Sequence, residues 1–427
     1  MRIGTVRYRV VAFAVALAAI TYFDRVCIST LAPSIMRDLN LTQIEMSYVF
    51  SAFTLAYAAF EIPTAAWADR IGTRKVLARI VVWWSLFTMA TAGAFNKPSL
   101  LAIRFLFGAG EAGAWPCAAR TFSRWIPASE RGRIQGVFFA GAHLAGGLTP
   151  LLVQQLAKHF DWRAIFLMFG ALGFIWAAAW YWWVRDDPAE HPAVSQAELA
   201  HITEGRALPS AEPERWEYWM TLLRSPNLLP LCLQYVANTV AFYFCITWFH
   251  TYLSKARGFE AATLGLFAGL PLMSSVLGDL SGGAVTDRLS AKYGLKTGRA
   301  VLGSVAYVVA GIAMAAGAAT ASPIGSVLLI SLSVASTMFT LGASWGVCID
   351  IGREHSGVVS AAMNTAGQIG GILCPIVVAH IVDRTGNWSL PLYMMSGLFF
   401  IGAVCWLFVD PRQPIFGVAI GPRDAKV

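Results

Sequence analysis

Apolar runs of about 20 residues follow one another along almost the whole chain, and few folds can accommodate that. Each run is long enough to cross a hydrocarbon core of about 30 Å as a helix. In lipid a backbone must satisfy its own hydrogen bonds, so only helices and closed barrels span. Barrel strands alternate apolar and polar residues over about 10 positions. The runs here are continuous, so they read as helices. Only 13% of the 427 residues are charged, against about 25% in a soluble domain. The expected fold is an all-α polytopic membrane protein with twelve spans. They lie roughly at 10–32, 46–68, 76–95, 99–121, 133–156 and 164–184, then 227–251, 264–285, 299–319, 323–347, 356–380 and 390–409.

Several function classes drop out at this stage. All seven cysteines fall inside spans, and no CxxC pair suggests a metal. No cofactor is expected. The stretch FGAGEAG has no P-loop lysine and follows no strand, so nucleotide binding is unsupported. The first run carries Asp24 and Arg25 and lacks a small-residue cleavage site, so it reads as a span and not as a signal peptide. A net charge of +8 would suggest nucleic acid in a soluble protein. Here it reads as basic cytoplasmic loops. The loops opposite the N-terminal side hold only Arg37, Lys97, Lys158, Arg163, Lys255, Arg257 and Arg384. The positive-inside rule therefore predicts both termini in the cytoplasm, with the chain in the inner (plasma) membrane.

The chain divides in two. Residues 185–226 are the only long polar stretch, rich in Pro and acidic residues, and SQAELAHI within it reads as a short surface helix. Six spans precede it and six follow. After the second span comes AWADRIGTRK, and after the eighth GGAVTDRLSAKYGLKTGR. GGLTP then DW in the first half match GGILCP then NW in the second. The expected organisation is a bundle over 1–184, a cytoplasmic linker over 185–226 and a second bundle over 227–427, the two bundles being pseudo-symmetric.

Four buried charges stand out against this background. Asp24 and Arg25 lie in the first run; Arg104 and Glu111 lie in the fourth. An ionised side chain at mid-membrane costs roughly 2.5–3.5 kcal/mol on insertion scales and is usually kept for function. Neighbours on a helix point about 100° apart, so Asp24 and Arg25 cannot neutralise each other on one face. Arg104 and Glu111 are seven apart and share a face to within about 20°. Counting 1.5 Å per residue puts Asp24 about 22 Å from the N-terminal side and Arg104 about 10 Å from the other. They then share a level, which predicts an Asp24–Arg104 pair, with Arg25 reaching toward Glu111 or a substrate. The alternative is a set of buried ion pairs that fix helix packing. Such pairs are often replaceable by apolar residues at no loss, which favours function.

YFDR in the first span, Arg-x6-Glu-Ala in the fourth, the DRIGTRK loop, DPAEHP in the linker and Asn364 with Gly-Gly and Pro375 in the eleventh span together resemble the anion:cation symporters of the major facilitator superfamily. Parallel six-helix repeats of this kind place the substrate site near mid-membrane. The resemblance covers nearly the whole chain and implies proton-coupled import of a small organic anion, such as a hexonate, hexuronate or hexarate. It implies that Asp24 and Glu111 carry protons and that Arg25 and Arg104 link protonation to substrate. Burial and a neighbouring Arg act on a carboxylate in opposite senses, so an Arg drawn to an incoming anion eases protonation. Arg suits that part because it keeps its charge and forks onto carboxylates.

Weaker candidates surround these four. Tyr57 matches a substrate-contacting tyrosine of the family or packs at a helix interface. Asn364 contacts substrate or bonds another helix. Tyr22, Ser344 and Trp345 divide evenly between substrate and packing. His143 tunes substrate choice or is a satisfied interhelical histidine. Gln368, Gln234, Tyr235 and Asn238 are expected along the cavity. Asp69, Arg70, Arg74 and Lys75 match gating charges of the family, Gly72 permits the turn between them, and Asp287 and Arg288 are their counterparts in the second half. Glu61 departs from the family's glutamine and stands as a third proton site, a partner for a basic loop or a solvated residue. The 16 Trp and 26 Phe read as interfacial and lipid-facing, WAAAWYWWVRDD included. The expected partners are the anion, protons and the bilayer, with no nucleic acid, and the chain is expected to be monomeric. Two further readings are an exporter or exchanger of a related acid, and a transporter-like sensor. An enzyme is not expected, since no nucleophile–base or metal constellation appears.

Overall fold

The computed structural model describes residues 5–127, 130–203, 216–352 and 356–415. Within them the side chains of residues 62, 65, 66, 69, 70, 131–133, 216–219 and 356–358 lie outside the description. Every regular element in the described residues is helical. In order they are α1 (Val6–Asp38), α2 (Gln43–Ile71), α3 (Thr73–Thr91), α4 (Lys97–Glu111), α5 (Ala114–Trp125), α6 (Arg131–Leu156), α7 (Trp162–Trp183), α8 (Gln196–Thr203), α9 (Trp216–Leu223), α10 (Leu228–Thr247), α11 (Phe249–Ala256), α12 (Ala261–Tyr293), α13 (Leu302–Ala319), α14 (Pro323–Phe339), α15 (Leu341–Gly352), α16 (Ser356–Thr385) and α17 (Ser389–Phe408). Local chemistry sets many starts. Thr42 and Glu45 form a capping box on α2, Asn96 and Ser99 another on α4, and Asp161 caps α7.

Nine helices among the described residues are long and apolar enough to cross a membrane. α3 fails that measure because Arg74, Lys75 and Arg79 crowd its first two turns. The fourth predicted span fails because it is two helices. α4 ends at Glu111, and α5 begins after Gly113, which takes a left-handed φ of +89°. A Cβ at Gly113 would lie 2.6 Å from Thr64, so the break requires glycine. The spans predicted at 227–251 and 323–347 are likewise divided, at Trp248 and Thr340.

Two compact units emerge, Met1–Ser210 with Ala261–Gly269, and Ala211–Glu260 with Leu270–Val427. In the first, α1 packs on α6, α2 on α4, and α3 on α7. In the second, α10 packs on α16 and α13 on α17. The start of the predicted linker packs with the first unit. Asp186 accepts hydrogen bonds from the Thr73 hydroxyl (3.0 Å) and the Arg74 backbone N–H (2.8 Å) at the start of α3. Trp125 donates to the Arg185 carbonyl at 3.0 Å. α8 forms as expected, but its Glu198 is fully buried, taking the Arg7 backbone N–H at 3.1 Å. Arg7 also pairs with Glu130 at 3.1 Å, and His201 reaches Glu130 at 3.3 Å. The tryptophans of the sixth span also correct the expectation. Trp182 is 77% exposed, as an interfacial residue should be. Trp176 and Trp180 are buried and donate to the Phe13 and Arg74 carbonyls at 2.9 and 3.1 Å.

Candidate functional site

The first unit places three of the four charges in its interior. Asp24 on α1 is 1% exposed, Arg104 on α4 is 2% and Glu111 at the end of α4 is 0%. Arg25 on α1 is nearly as enclosed, its side chain 9% exposed. Arg25 and Glu111 form an ion pair, with the Arg25 Nε donating to Glu111 Oε1 at 2.5 Å. The break after Glu111 brings its carboxylate to the carbonyl end of α4, which repels an anion. Arg25 offsets that repulsion.

Asp24 and Arg104 do not pair. No ion pair within 4.0 Å joins them, and both Asp24 carboxylate oxygens are buried without a hydrogen-bond partner. Depth counting gave a common level but no common direction. The Arg104 guanidinium lies 4.2 Å from the Phe107 ring centroid one turn on and 5.3 Å from that of Phe53 on α2. Its Nε and Nη1 are buried without a partner. Asp24 faces Trp84 and Thr88 on α3, whose Nε1 and Oγ1 are also buried and unbonded. Buried polar groups of this kind are few in native proteins, and each calls for an explanation.

Aromatic rings line the charges. Phe53 lies beside both arginines, its centroid 5.1 Å from the Arg25 guanidinium and 5.3 Å from that of Arg104. Tyr57 and Tyr22 add rings 5.0 and 5.9 Å from Arg25. A Cβ on Gly108 would lie 2.3 Å from the Phe53 carbonyl, so glycine lets α2 and α4 approach at this point. Tyr22 also meets His143 edge-on at 5.8 Å and Trp115 at 6.2 Å. The sequence expectation included Tyr22, Tyr57 and His143 but missed Phe53, Trp84, Thr88 and Trp115.

In the second unit several of the expected polar residues have hydrogen-bond partners within the unit. Gln234 donates to Ser344 at 3.3 Å and accepts from Tyr307 at 2.9 Å; Ser344 also donates to the Thr340 carbonyl at 3.2 Å. Asn238 donates to the Thr337 carbonyl at 3.4 Å. Gln368 accepts from the Tyr243 hydroxyl at 3.1 Å. Trp345 is half-buried with its Nε1 unbonded, and Asn364 is half-buried. A half-buried Arg299–Asp350 ion pair at 2.8 Å was not anticipated.

Among the gating candidates, Gly72 takes φ +98° and closes the one-residue turn from α2 to α3. Arg74 lies over the Tyr181 ring at 4.6 Å and donates to its carbonyl. Lys75, Asp287 and Arg288 are exposed, and the Asp69 and Arg70 side chains lie outside the described residues.

A membrane-spanning helical fold with ionisable groups sealed inside one unit fits a transporter. The chain belongs to the Major Facilitator Superfamily, whose profile matches residues 14–375. A probable sulfoacetate transporter of Cupriavidus necator is 34% identical, over 92% of this chain and 91% of the relative. A probable galactarate/D-glucarate transporter of Bacillus subtilis is 31% identical, over 93% and 89%. A hexuronate transporter of the same species is 29% identical, over 96% of both. The crystal structure of a bacterial homologue of the human lysosomal transporter Spinster, in an inward-facing occupied conformation, matches with a TM-score of 0.71. It covers 94% of this chain and 96% of that one at 17% identity, so it bears on the fold alone.

Proposed function

We propose that the protein imports a small organic anion, a sugar acid, together with protons by alternating access. The observation that carries this reading is the buried Arg25–Glu111 pair beside an unbonded Asp24 and a partly unbonded Arg104. Arg25 can exchange one carboxylate for another. When a substrate anion takes the guanidinium, Glu111 loses its counter-charge and accepts a proton. Asp24, which holds no hydrogen bond as an acceptor, is the second proton carrier. A proton there would let its hydroxyl donate to a neighbouring oxygen such as that of Thr88. Arg104, with donors to spare, answers the anion or Asp24 as the cavity changes. The names of the relatives, which include carriers of hexuronate and galactarate/D-glucarate, support an acid substrate. Glu61 on α2 is half-buried and stays outside this scheme. Asp69, Arg70, Arg74 and Lys75, with Asp287 and Arg288, serve as gating charges.

The test is uptake into proteoliposomes over a panel of hexonates, hexuronates, hexarates and sulfoacetate. Accumulation of one acid against its gradient is expected with acid outside, and its loss when a protonophore collapses that gradient. Uptake driven by sodium alone would overturn proton coupling. Binding without accumulation would make the protein a sensor.

A further inference from the structure

A groove in the first unit shares only Lys75 with that scheme. α2, α3, α4 and α7 enclose a groove of about 1130 Å³ on the side of this unit. Its floor is made of small residues, among them Ala109, Gly110, Ala177 and Ala178. One wall is held rigidly. Trp83 donates to the Leu106 carbonyl at 2.9 Å. Its ring lies so close over Gly110 that a Cβ there would sit 1.7 Å from it.

The lining is polarised from end to end. Lys75 and Arg79 stand at the mouth, on the first two turns of α3. Trp67 and Tyr181 flank them, and the Arg79 guanidinium is 5.4 Å from the centroid of the Trp67 ring. None of the lining residues is acidic. Neither cation is in an ion pair among the described residues. Beyond them come Val82, Trp83 and Leu86, all exposed, with Phe60 and Phe174. From Lys75 to Leu86 the groove runs about 16 Å along α3, half of an apolar core of about 30 Å. That is the depth of one leaflet.

We propose that this groove binds one anionic phospholipid from the leaflet on the N-terminal side, with its phosphate at Lys75 and Arg79 and an acyl chain along Val82, Trp83 and Leu86. Cations at one end and hydrocarbon beyond match the polarity of that molecule, which a small hydrophilic anion lacks. A zwitterionic lipid carries its own ammonium, which Lys75 and Arg79 repel. Basic pockets between helices at this level are known hosts for acidic headgroups.

Native mass spectrometry of the full chain tests this with two probes, dioleoylphosphatidylglycerol and dioleoylphosphatidylcholine. Each basic residue near an acidic headgroup strengthens binding about fivefold, so the glycerol lipid should be retained well above the choline lipid. Arg79→Gln should cut that preference about fivefold, and Arg79→Lys should keep it. Ala178→Trp, which puts an indole into the groove and leaves both cations, should weaken the adduct while eluting as a single folded species. Should that variant misfold, Val82→Glu offers the same test through an acid placed beside the chain. Equal retention of both lipids by the native protein overturns the proposal. So does a glycerol-lipid adduct indifferent to Arg79→Gln, or one displaced by inorganic phosphate.

Discussion

Phe53 is the residue whose place beside the charges was least visible. It is one of 26 phenylalanines, and nothing in its neighbourhood of the sequence marks it. Yet its ring lies within about 5 Å of both arginine heads, as its 5.1 and 5.3 Å separations show. Each such contact contributes roughly 0.5–2 kcal/mol when desolvated. Phe53→Ala should therefore weaken apparent anion affinity about tenfold, read as a raised KM for uptake; an unchanged KM would remove Phe53 from the site. The four charges were legible because an ionised group in an apolar run is conspicuous wherever it points. Their pairing was legible only in part. Residue counting fixes depth, so Arg25 with Glu111 and Asp24 with Arg104 both looked reachable. The direction of a side chain depends on rings from a third helix, which no count supplies. The charges now separate into testable roles. Glu111→Gln and Asp24→Asn should each abolish accumulation driven by a pH gradient, and at least one should retain exchange of labelled for unlabelled acid. Normal accumulation in both would end the coupling scheme. Arg25→Ala should lose roughly 10- to 100-fold in anion affinity, the range of a charged hydrogen bond; undiminished binding would count against its contact with substrate.

At the scale of elements, hydropathy revealed the spans and concealed their interruptions. Gly113 carries one break, but the stretch GAGEAGA has other glycines that stay helical, and only the approach of Thr64 singles it out. The linker held a larger surprise. A polar, Pro-rich stretch reads as a solvated tether, and its start instead docks on α3, α5 and α1 through Asp186, Arg185 and Glu198. Gly72 is central to that docking, since its φ is +98° and a Cβ would lie 2.5 Å from the Asp186 carboxylate. Gly72→Ala should cost about 1–3 kcal/mol from backbone strain alone, seen as a lower melting temperature. Gly136→Ala, with nothing within 4 Å of the added carbon, should show no such fall. The docked linker also carries a pH dependence. His191 is buried between the Trp125 and Trp183 rings, at 5.7 and 4.7 Å. Burial holds its imidazole below the ordinary 6.5; Arg185 and Arg9 add to this, and the Trp183 backbone and Glu198 oppose it. The docked state then binds fewer protons than the released one. Its stability is full above pH 6.5 and declines as pH falls through that value toward the docked pKa. Hydrogen exchange over residues 186–203 should quicken with acid in that window once corrected for intrinsic rates. His191→Gln should flatten the response, and a flat response in the native chain would exclude it.

Across the whole molecule the two units repeat one plan and divide the chemistry. α1 on α6 has its counterpart in α10 on α16, and α3 on α7 in α13 on α17, as the repeated sequence marks implied. The first unit holds Asp24, Arg25, Arg104 and Glu111. The corresponding interior of the second holds Gln234 bonded to Ser344 and Tyr307, and Asn238 bonded to the Thr337 carbonyl, all uncharged. Under the proposed scheme proton and anion chemistry falls to the first unit, while the second holds mainly neutral hydrogen bonds and the Arg299–Asp350 pair. Which membrane face each loop meets is a prediction from charge. Lys and Arg concentrate on the side of the termini, which the positive-inside rule assigns to the cytoplasm. The cysteine distribution makes this simple to check. Six of the seven cysteines are buried, and Cys232 is half-buried, so a membrane-impermeant maleimide should label the native chain little. Lys158 and Arg288 are both exposed and lie on opposite predicted faces. On intact cells Lys158→Cys should label at once, and Arg288→Cys only after permeabilisation. The reverse pattern would invert the chain. It would also move Lys75 and Arg79 to the outer leaflet, and with them the acidic lipid proposed to sit there.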